Sequence, residues 1–126
     1  MRTCYICSPY RAKTEAELDN HIDYAQELTS KAMAEGLAPI TPHLYLTQVT
    51  NDEIPKQRAQ GIEAGQALLL LCDCVIIGNR YGVSAGMQAE IELAEKSHTP
   101  VIAVTNETTP AEIAQLVEKA VTYGTR

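Results

Sequence analysis

The run Cys74-Val75-Ile76-Ile77-Gly78 restricts the fold more than any other part of the chain. A strand with one wet face alternates apolar and polar side chains, whereas a run with no polar member belongs to a strand covered on both faces. Covering a sheet twice requires helices on both sides, which follows when strands and helices alternate along the chain. That alternation is present. Thr3 to Ser8 is a short apolar run stopped by Pro9 and predicts the first strand. Thr14-Glu15-Ala16-Glu17 has the spacing of a capping box, and Leu18, Ile22, Ala25, Leu28 and Ala32 then recur at helical spacing up to Gly36. Ala38 to Thr41 predicts a brief second strand, and Pro42 to Thr50 an irregular loop. A second helix is expected from about Asn51 to Leu71, with Pro55 in its first turn or interrupting it, and with Gly61 and Gly65 marking close packing or a bend. Cys72 to Gly78 makes the third strand, Ser84 to Ser97 the third helix, and Pro100 to Thr105 the fourth strand. Thr109-Pro110-Ala111-Glu112 is a second capping box. It opens a last helix that is expected to bury Ile113, Leu116, Val117, Ala120 and Val121 and to end at Gly124.

Strands separated by helices imply parallel pairing with right-handed crossovers. The expected fold class is therefore α/β: a three-layer sandwich with a central parallel sheet of four to five strands and helices on both faces. A chain of 126 residues makes one domain, spanning 1–126. With no Trp and no Phe, its core has to come from Leu, Ile, Val, Ala and Met. A net charge of −6 argues against binding a nucleic-acid polymer or an anionic membrane, but a local cradle can still oppose that sign for one nucleotide. The start Met1-Arg2-Thr3-Cys4 shows no signal-peptide core and no segment is long enough to span a bilayer, so a cytoplasmic protein is expected. Cys4 and Cys7 form a C-x-x-C, and Cys72 and Cys74 a C-x-C. Residues 4 and 7 of one strand point to opposite faces, so small buried thiols are expected rather than a metal site or a disulfide framework.

In doubly wound sheets, ligands bind beyond the carboxyl ends of the strands. That edge should collect Ser8 to Arg11, His43, Asn79 to Gly86, and Asn106. Ser84-Ala85-Gly86-Met87-Gln88-Ala89-Glu90 puts a hydroxyl, a glycine and free N–H groups at a helix N-terminus, which suits an anion or a sugar hydroxyl. Glu90 follows about one and a half turns later, a carboxylate of the kind a glycosyl-transferring or hydrolysing enzyme needs. Each residue also has a plain structural reading. Ser84 is an N-cap in any case, and Glu90 alone reads as a solvated helix residue next to the stripe Met87, Ile91 and Ala94. Arg11 is a loop cation or a phosphate contact; Tyr10 a lid over a base or a packed loop residue. Tyr5 is a core aromatic whose hydroxyl needs a partner. His43 is a structural loop histidine, a general acid or base, or a ligand contact. His21 and His98 read as helix-surface residues, and Glu15, Glu17, Asp19, Asp23, Glu92 and Glu95 as solvated faces.

Two segments taken together, Tyr5-Ile6-Cys7-Ser8-Pro9-Tyr10-Arg11 and Cys72-Asp73-Cys74-Val75-Ile76-Ile77-Gly78 with its sequel Ser84-x-Gly86-Met87-x-x-Glu90-Ile91-x-x-Ala94, resemble the nucleoside 2-deoxyribosyltransferase superfamily. That superfamily includes the 2′-deoxynucleoside 5′-monophosphate N-glycosidases and a small uncharacterised bacterial and phage subgroup, to which the chain is most similar. The resemblance implies a flavodoxin-like or Rossmann-like sandwich. It implies cleavage or transfer of the N-glycosidic bond of a nucleoside or nucleoside 5′-monophosphate, with Glu90 as nucleophile and Tyr5 supporting that carboxylate. Arg11 matches a 5′-phosphate contact, and Ser84 and Gly86 the turn that holds the 5′ group. Ser8, Tyr10, His43 and Met87 complete the expected substrate contacts. No cofactor and no metal is implied, and a homodimer or higher homo-oligomer is. The family's usual second acid, an aspartate eight positions before the acid heading the third strand, falls on Gly65 when Asp73 is that acid. Glu63 and His43 are the candidate stand-ins. This departure leaves a nucleotide-binding or sensing module without turnover as the alternative. A receiver-like or flavodoxin-like interaction module is the third reading, disfavoured because neither an acidic pair nor a Ser/Thr/Gly-rich phosphate loop follows the first strand.

Overall fold

In the computed structural model, which describes residues 1–123, strands and helices alternate along the chain. They are β1 (Thr3–Cys7), α1 (Glu15–Ala34), β2 (Ala38–Ile40), α2 (Pro55–Leu70), β3 (Cys74–Gly78), α3 (Ala85–Lys96), β4 (Val101–Val104) and α4 (Pro110–Tyr123). Two 3-10 turns, Pro42–Leu44 and Leu46–Gln48, occupy the segment expected to be an irregular loop. The four strands form one parallel sheet in the order β2-β1-β3-β4. The chain thus winds outward from β1 to β2, returns, and winds outward the other way from β3 to β4. The switch between the two directions lies between β1 and β3.

Alternation along the strands divides the core in two. Cys4 and Ile6 of β1, with Cys74 and Ile76 of β3, face Tyr24, Leu28 and Ala32 of α1 and Ile113 and Val117 of α4. Tyr5 and Cys7, with Val75 and Ile77, face Leu69 of α2 and Met87 and Ala94 of α3. Helices therefore cover both faces, as expected for a three-layer α/β sandwich. All four cysteines are free and buried, with Cys4 and Cys7 on opposite faces. Burial raises the thiols of Cys4 and Cys74 to about 12 and that of Cys72 to about 11.

Asp73 fixes β1 against β3 at the amino ends of these strands. Its Oδ2 accepts from the Thr3 amide at 2.8 Å and from the Thr3 hydroxyl at 3.2 Å, while its own amide donates to Thr3 O at 3.0 Å. These bonds hold the register Cys4↔Cys74, Tyr5↔Val75, Ile6↔Ile76, Cys7↔Ile77.

Several local expectations shift. Helix α2 starts at Pro55, four residues after the expected Asn51, because proline is best tolerated in a first turn, where its missing N–H breaks no bond. Strand β3 starts at Cys74 rather than Cys72, because the Cys72 amide closes the end of α2 on Leu69 O at 3.0 Å. The Thr109–Glu112 capping box is complete, with both bonds at 3.2 Å. At Thr14 the cap accepts from the Glu17 amide at 3.1 Å, and no return bond from the Glu17 carboxylate forms among the described residues. Leu116, expected to be buried, is 41% exposed, since Ile113, Val117, Ala120 and Val121 define the inward stripe and residue 116 lies on its flank. The expected helix end at Gly124 lies outside the described residues.

His21 is the clearest correction. It is buried, not on the helix surface. The loops after β1 and β3 fold over the start of α1, so that His21 Nδ1 lies 3.2 Å from Tyr10 O and its ring 5.2 Å from that of Tyr81. Arg80 ties the same region together. Its guanidinium lies 4.2 Å above the Tyr24 ring, pairs with Glu27 and donates to Asn106 Oδ1 at 2.8 Å. Tyr24 can approach β3 this closely only because residue 78 has no side chain. A Cβ at Gly78 would lie 2.5 Å from the Tyr24 hydroxyl oxygen and closer still to Leu28 Cδ1. Gly78→Ala should therefore lower stability by about 2–3 kcal/mol through overpacking, read as a lower urea midpoint with an unchanged slope.

Candidate active site

The carboxyl ends of β1 and β3 open toward the amino end of α3, and strand and helix periodicity decide what meets there. On α3, Met87 and Ala94 point into the sheet, and Glu90 lies three residues after one and four before the other, on the same face. On β1, only Tyr5 and Cys7 face that helix. Glu90 must therefore meet Tyr5 and Cys7.

The Cys7 Sγ lies 3.9 Å from Glu90 Oε1. Burial raises the Glu90 carboxyl to about 7, and hydrogen bonding from Tyr5 and then Cys7 opposes that rise. The Tyr5 hydroxyl and Cys7 thiol are themselves pushed well above their ordinary ranges, first by burial and then by the neighbouring carboxylate. Both groups thus keep their protons and serve as donors. Glu90 is only partly buried, so one side of its carboxyl group remains open to a ligand.

Ser84 caps α3, its Oγ accepting from the Met87 amide at 3.2 Å. Ser84, Ala85 and Gly86 are exposed, leaving the first turn of the helix open to solvent. The Met87 side chain lies in the core, so the parts of it that reach the site are main-chain atoms. Ser8, directly after β1, is buried and its Oγ has no hydrogen-bond partner. His43 sits on the first 3-10 turn and stacks on Tyr10, ring centroids 5.3 Å apart and planes 23° apart. Burial lowers the His43 pKa, while a hydrogen bond to the Ser8 main chain and the charge of Asp52 oppose that shift. Arg11 is exposed and makes no hydrogen bond or ion pair among the described residues.

Two geometric facts bear on the second acid. A Cβ built at Gly65 would lie 3.4 Å from the Tyr5 hydroxyl and touch nothing else, so this position of α2 faces the carboxylate site and is bare. Glu63, two residues earlier on α2, is exposed, and a two-residue offset turns a helical side chain to the opposite side. Glu63 therefore does not stand in for an acid at 65. Among the described residues no cluster of three or more His, Cys, Asp or Glu side chains is placed to hold a metal ion. A surface depression of about 510 Å³ lies at the opposite edge of the sheet beside Arg2, Glu35, Asp73 and Glu118. There Arg2 pairs with Glu118 and Asp73 accepts from Thr3, whereas the carboxyl group that burial perturbs, the usual mark of a candidate site, is Glu90 at the carboxyl edge.

Residues 2–104 match the family model of DUF7768, a domain of unknown function. The chain belongs to the DUF7768 family. No curated protein matches it. Among solved structures, the 2-deoxyribosyltransferase of the psychrotolerant bacterium Bacillus psychrosaccharolyticus shares its fold with a TM-score of 0.65. The sequences are 12% identical, and the likeness covers 82% of this chain and 72% of that one. This DUF7768 chain thus has the α/β fold of a nucleoside-processing enzyme, and none of its helices is long and apolar enough to cross a membrane among the described residues.

What sequence reading passed over at this site is Cys7 as a neighbour of Glu90. The available signal was its spacing from Tyr5: residues two apart on a strand share a face.

The raised Glu90 carboxyl has a cost. Below about pH 4.5 the group is protonated in both folded and unfolded chains. As pH rises from there to about 7, the unfolded chain releases the proton while the folded one retains it, so stability falls across that window. Glu90→Gln should accordingly be more stable than the parent at pH 8 by on the order of 2–3 kcal/mol. Urea titrations at pH 4 and pH 8 should show that advantage shrinking at the lower pH.

Proposed function

We propose that this protein cleaves or transfers the N-glycosidic bond of a nucleoside or nucleoside 5′-monophosphate, with Glu90 as nucleophile. The observation that carries the reading is a partly buried carboxyl group, raised to about 7 and flanked by the Tyr5 hydroxyl, at the carboxyl edge of the switch between β1 and β3. The fold shared with a 2-deoxyribosyltransferase supports it. An ionised Glu90 oxygen bonds to the anomeric carbon as the base departs with the electron pair of the glycosidic bond and takes up a proton. Water, or the nitrogen of a second base, then displaces Glu90 and restores the free carboxylate. Tyr5 orients the carboxylate, and the exposed first turn of α3 at Ser84 and Gly86 receives the 5′ group, with Arg11 as its cation. Ser8, Tyr10 and His43 line the β1 and β2 side of the same edge, with Met87 contributing its main chain. The reading carries with it a single-domain cytoplasmic protein that acts as a homodimer or higher homo-oligomer and needs no cofactor or metal.

Incubation with a panel of ribo- and deoxyribonucleosides and their 5′-monophosphates should release free base, detected by chromatography. Glu90→Gln should abolish that release, and its rate should climb with pH through about 7 as the nucleophile ionises. Tyr5→Phe keeps the buried ring but removes the donor. It should slow base release about 10- to 100-fold, the worth of one hydrogen bond to a charged group, and move the acid limb to higher pH. Wild-type protein that leaves the whole panel intact overturns the reading.

The bare position at Gly65 favours a second one, a nucleotide-binding module without turnover, since no side chain there can hand a proton to the base. Its signature is a nucleotide-dependent rise in melting temperature with no base released.

A further inference from the structure

We propose that Cys7 is a positioning residue for Glu90: its buried thiol gives its one hydrogen to the charged carboxylate and so holds that carboxylate toward the cleft. The inference rests on Glu90 being the nucleophile, as proposed above. Cys7 is the last residue of β1 and fully buried, and its Sγ has two acceptors within reach, both on α3. Glu90 Oε1 and Met87 O each lie 3.9 Å away. A thiol carries a single proton and can satisfy only one of them at a time. When Glu90 is ionised, the charge-assisted bond is the stronger and the hydrogen turns to the carboxylate. When Glu90 is protonated, the main-chain oxygen of Met87 becomes the better acceptor. Cys7 thus acts as a rotor whose position follows the charge on Glu90.

The chemistry of sulfur suits this task. A glutamate side chain has three torsions to fix, and Tyr5 is one donor; Cys7 supplies a second. An S–H group is a weak donor, so it orients the carboxylate while drawing little negative charge from the attacking oxygen. Burial and the adjoining carboxylate hold the thiol well above its ordinary range, so it stays protonated throughout the range in which Glu90 titrates. It is therefore a donor and not a rival nucleophile.

The test is a pH titration of the Glu90 side-chain carboxyl carbon by NMR, with Glu90→Gln used to assign the signal. Removing the donor in Cys7→Ala or Cys7→Val should raise the proton affinity of Glu90 about three- to tenfold in both variants. Cys7→Ser, which restores a hydroxyl donor, should bring the midpoint back to the wild-type value or below it. A pure packing role predicts something else: Ala opens space that admits water and lowers the midpoint, whereas Val fills the space. Unchanged midpoints in Ala and Val, or midpoints that move in opposite directions, overturn the proposal. A measurement on the unaltered protein guards against variants that fail to fold. The Raman S–H stretching band lost in Cys7→Ala should shift in the wild type across the Glu90 titration, and a band that stays fixed overturns the proposal. None of these readouts needs turnover, so absence of base release would count against the proposed reaction while leaving the Cys7–Glu90 linkage separately decided.

Discussion

The pairing of β1 with β3 governs the rest of this structure. It is parallel, its register is pinned at one end by Asp73 and Thr3, and it is buried under helices on both faces. A slip of one residue would send Tyr5 and Cys7 to the α1 side and bring Ile6 to α3, exchanging every contact on both faces. The polar clamp at the amino ends therefore acts at a distance on the other end of the sheet, where Glu90 meets the face of β1 that carries Tyr5 and Cys7. Asp73 lies at the far end of these strands from Glu90, yet it fixes the alignment that brings Tyr5 and Cys7 to Glu90.

Around this pairing the two faces do different work. The α1 and α4 side is a packed, largely apolar layer that closes over Gly78 through Tyr24 and Leu28, and is laced at its rim by Arg80, Glu27 and Asn106. The α2 and α3 side holds the only shifted carboxyl group buried among the described residues, with the phenol of Tyr5 and the thiol of Cys7 beside it. Helix α2 brings little to this layer: only Gly65 and Leu69 are buried along it, and the position nearest the Tyr5 hydroxyl carries no side chain. The site is thus strong in one carboxylate and its supports and sparse in a second acid.

Energetically, the burial of Glu90 lowers folding stability near neutral pH. A solvated glutamate at this position would cost nothing, but it would have no raised pKa and no fixed orientation. Placing it against β1 makes its charged state less favourable as the pH approaches neutrality, and the donors Tyr5 and Cys7 return part of that loss. Of the two, Cys7 has its Sγ 3.9 Å from Glu90 Oε1.

Much of the architecture was legible in the chain itself. The unbroken apolar run at Cys74–Gly78, the caps at Thr14, Ser84 and Thr109, and proline in a first helical turn are local signals, and each was realised within a few residues. Local periodicity also determined that Tyr5 and Cys7 share a face and that Glu90 lies with Met87 and Ala94. It could not determine which helix stands opposite which strand face. That choice comes from the order β2-β1-β3-β4, which puts α1 and α4 on one side and α2 and α3 on the other. It is also why His21, polar and in the first half of a helix, looked solvated until the loops after β1 and β3 closed over it. The sequence by itself determined the elements and, His21 and Leu116 apart, most of their inward faces, because backbone hydrogen bonding and side-chain period act over a few residues. Tertiary structure alone decided that Glu90 is partly buried beside Tyr5 and Cys7, because burial and a shifted pKa are properties of partners more than eighty residues apart in the chain.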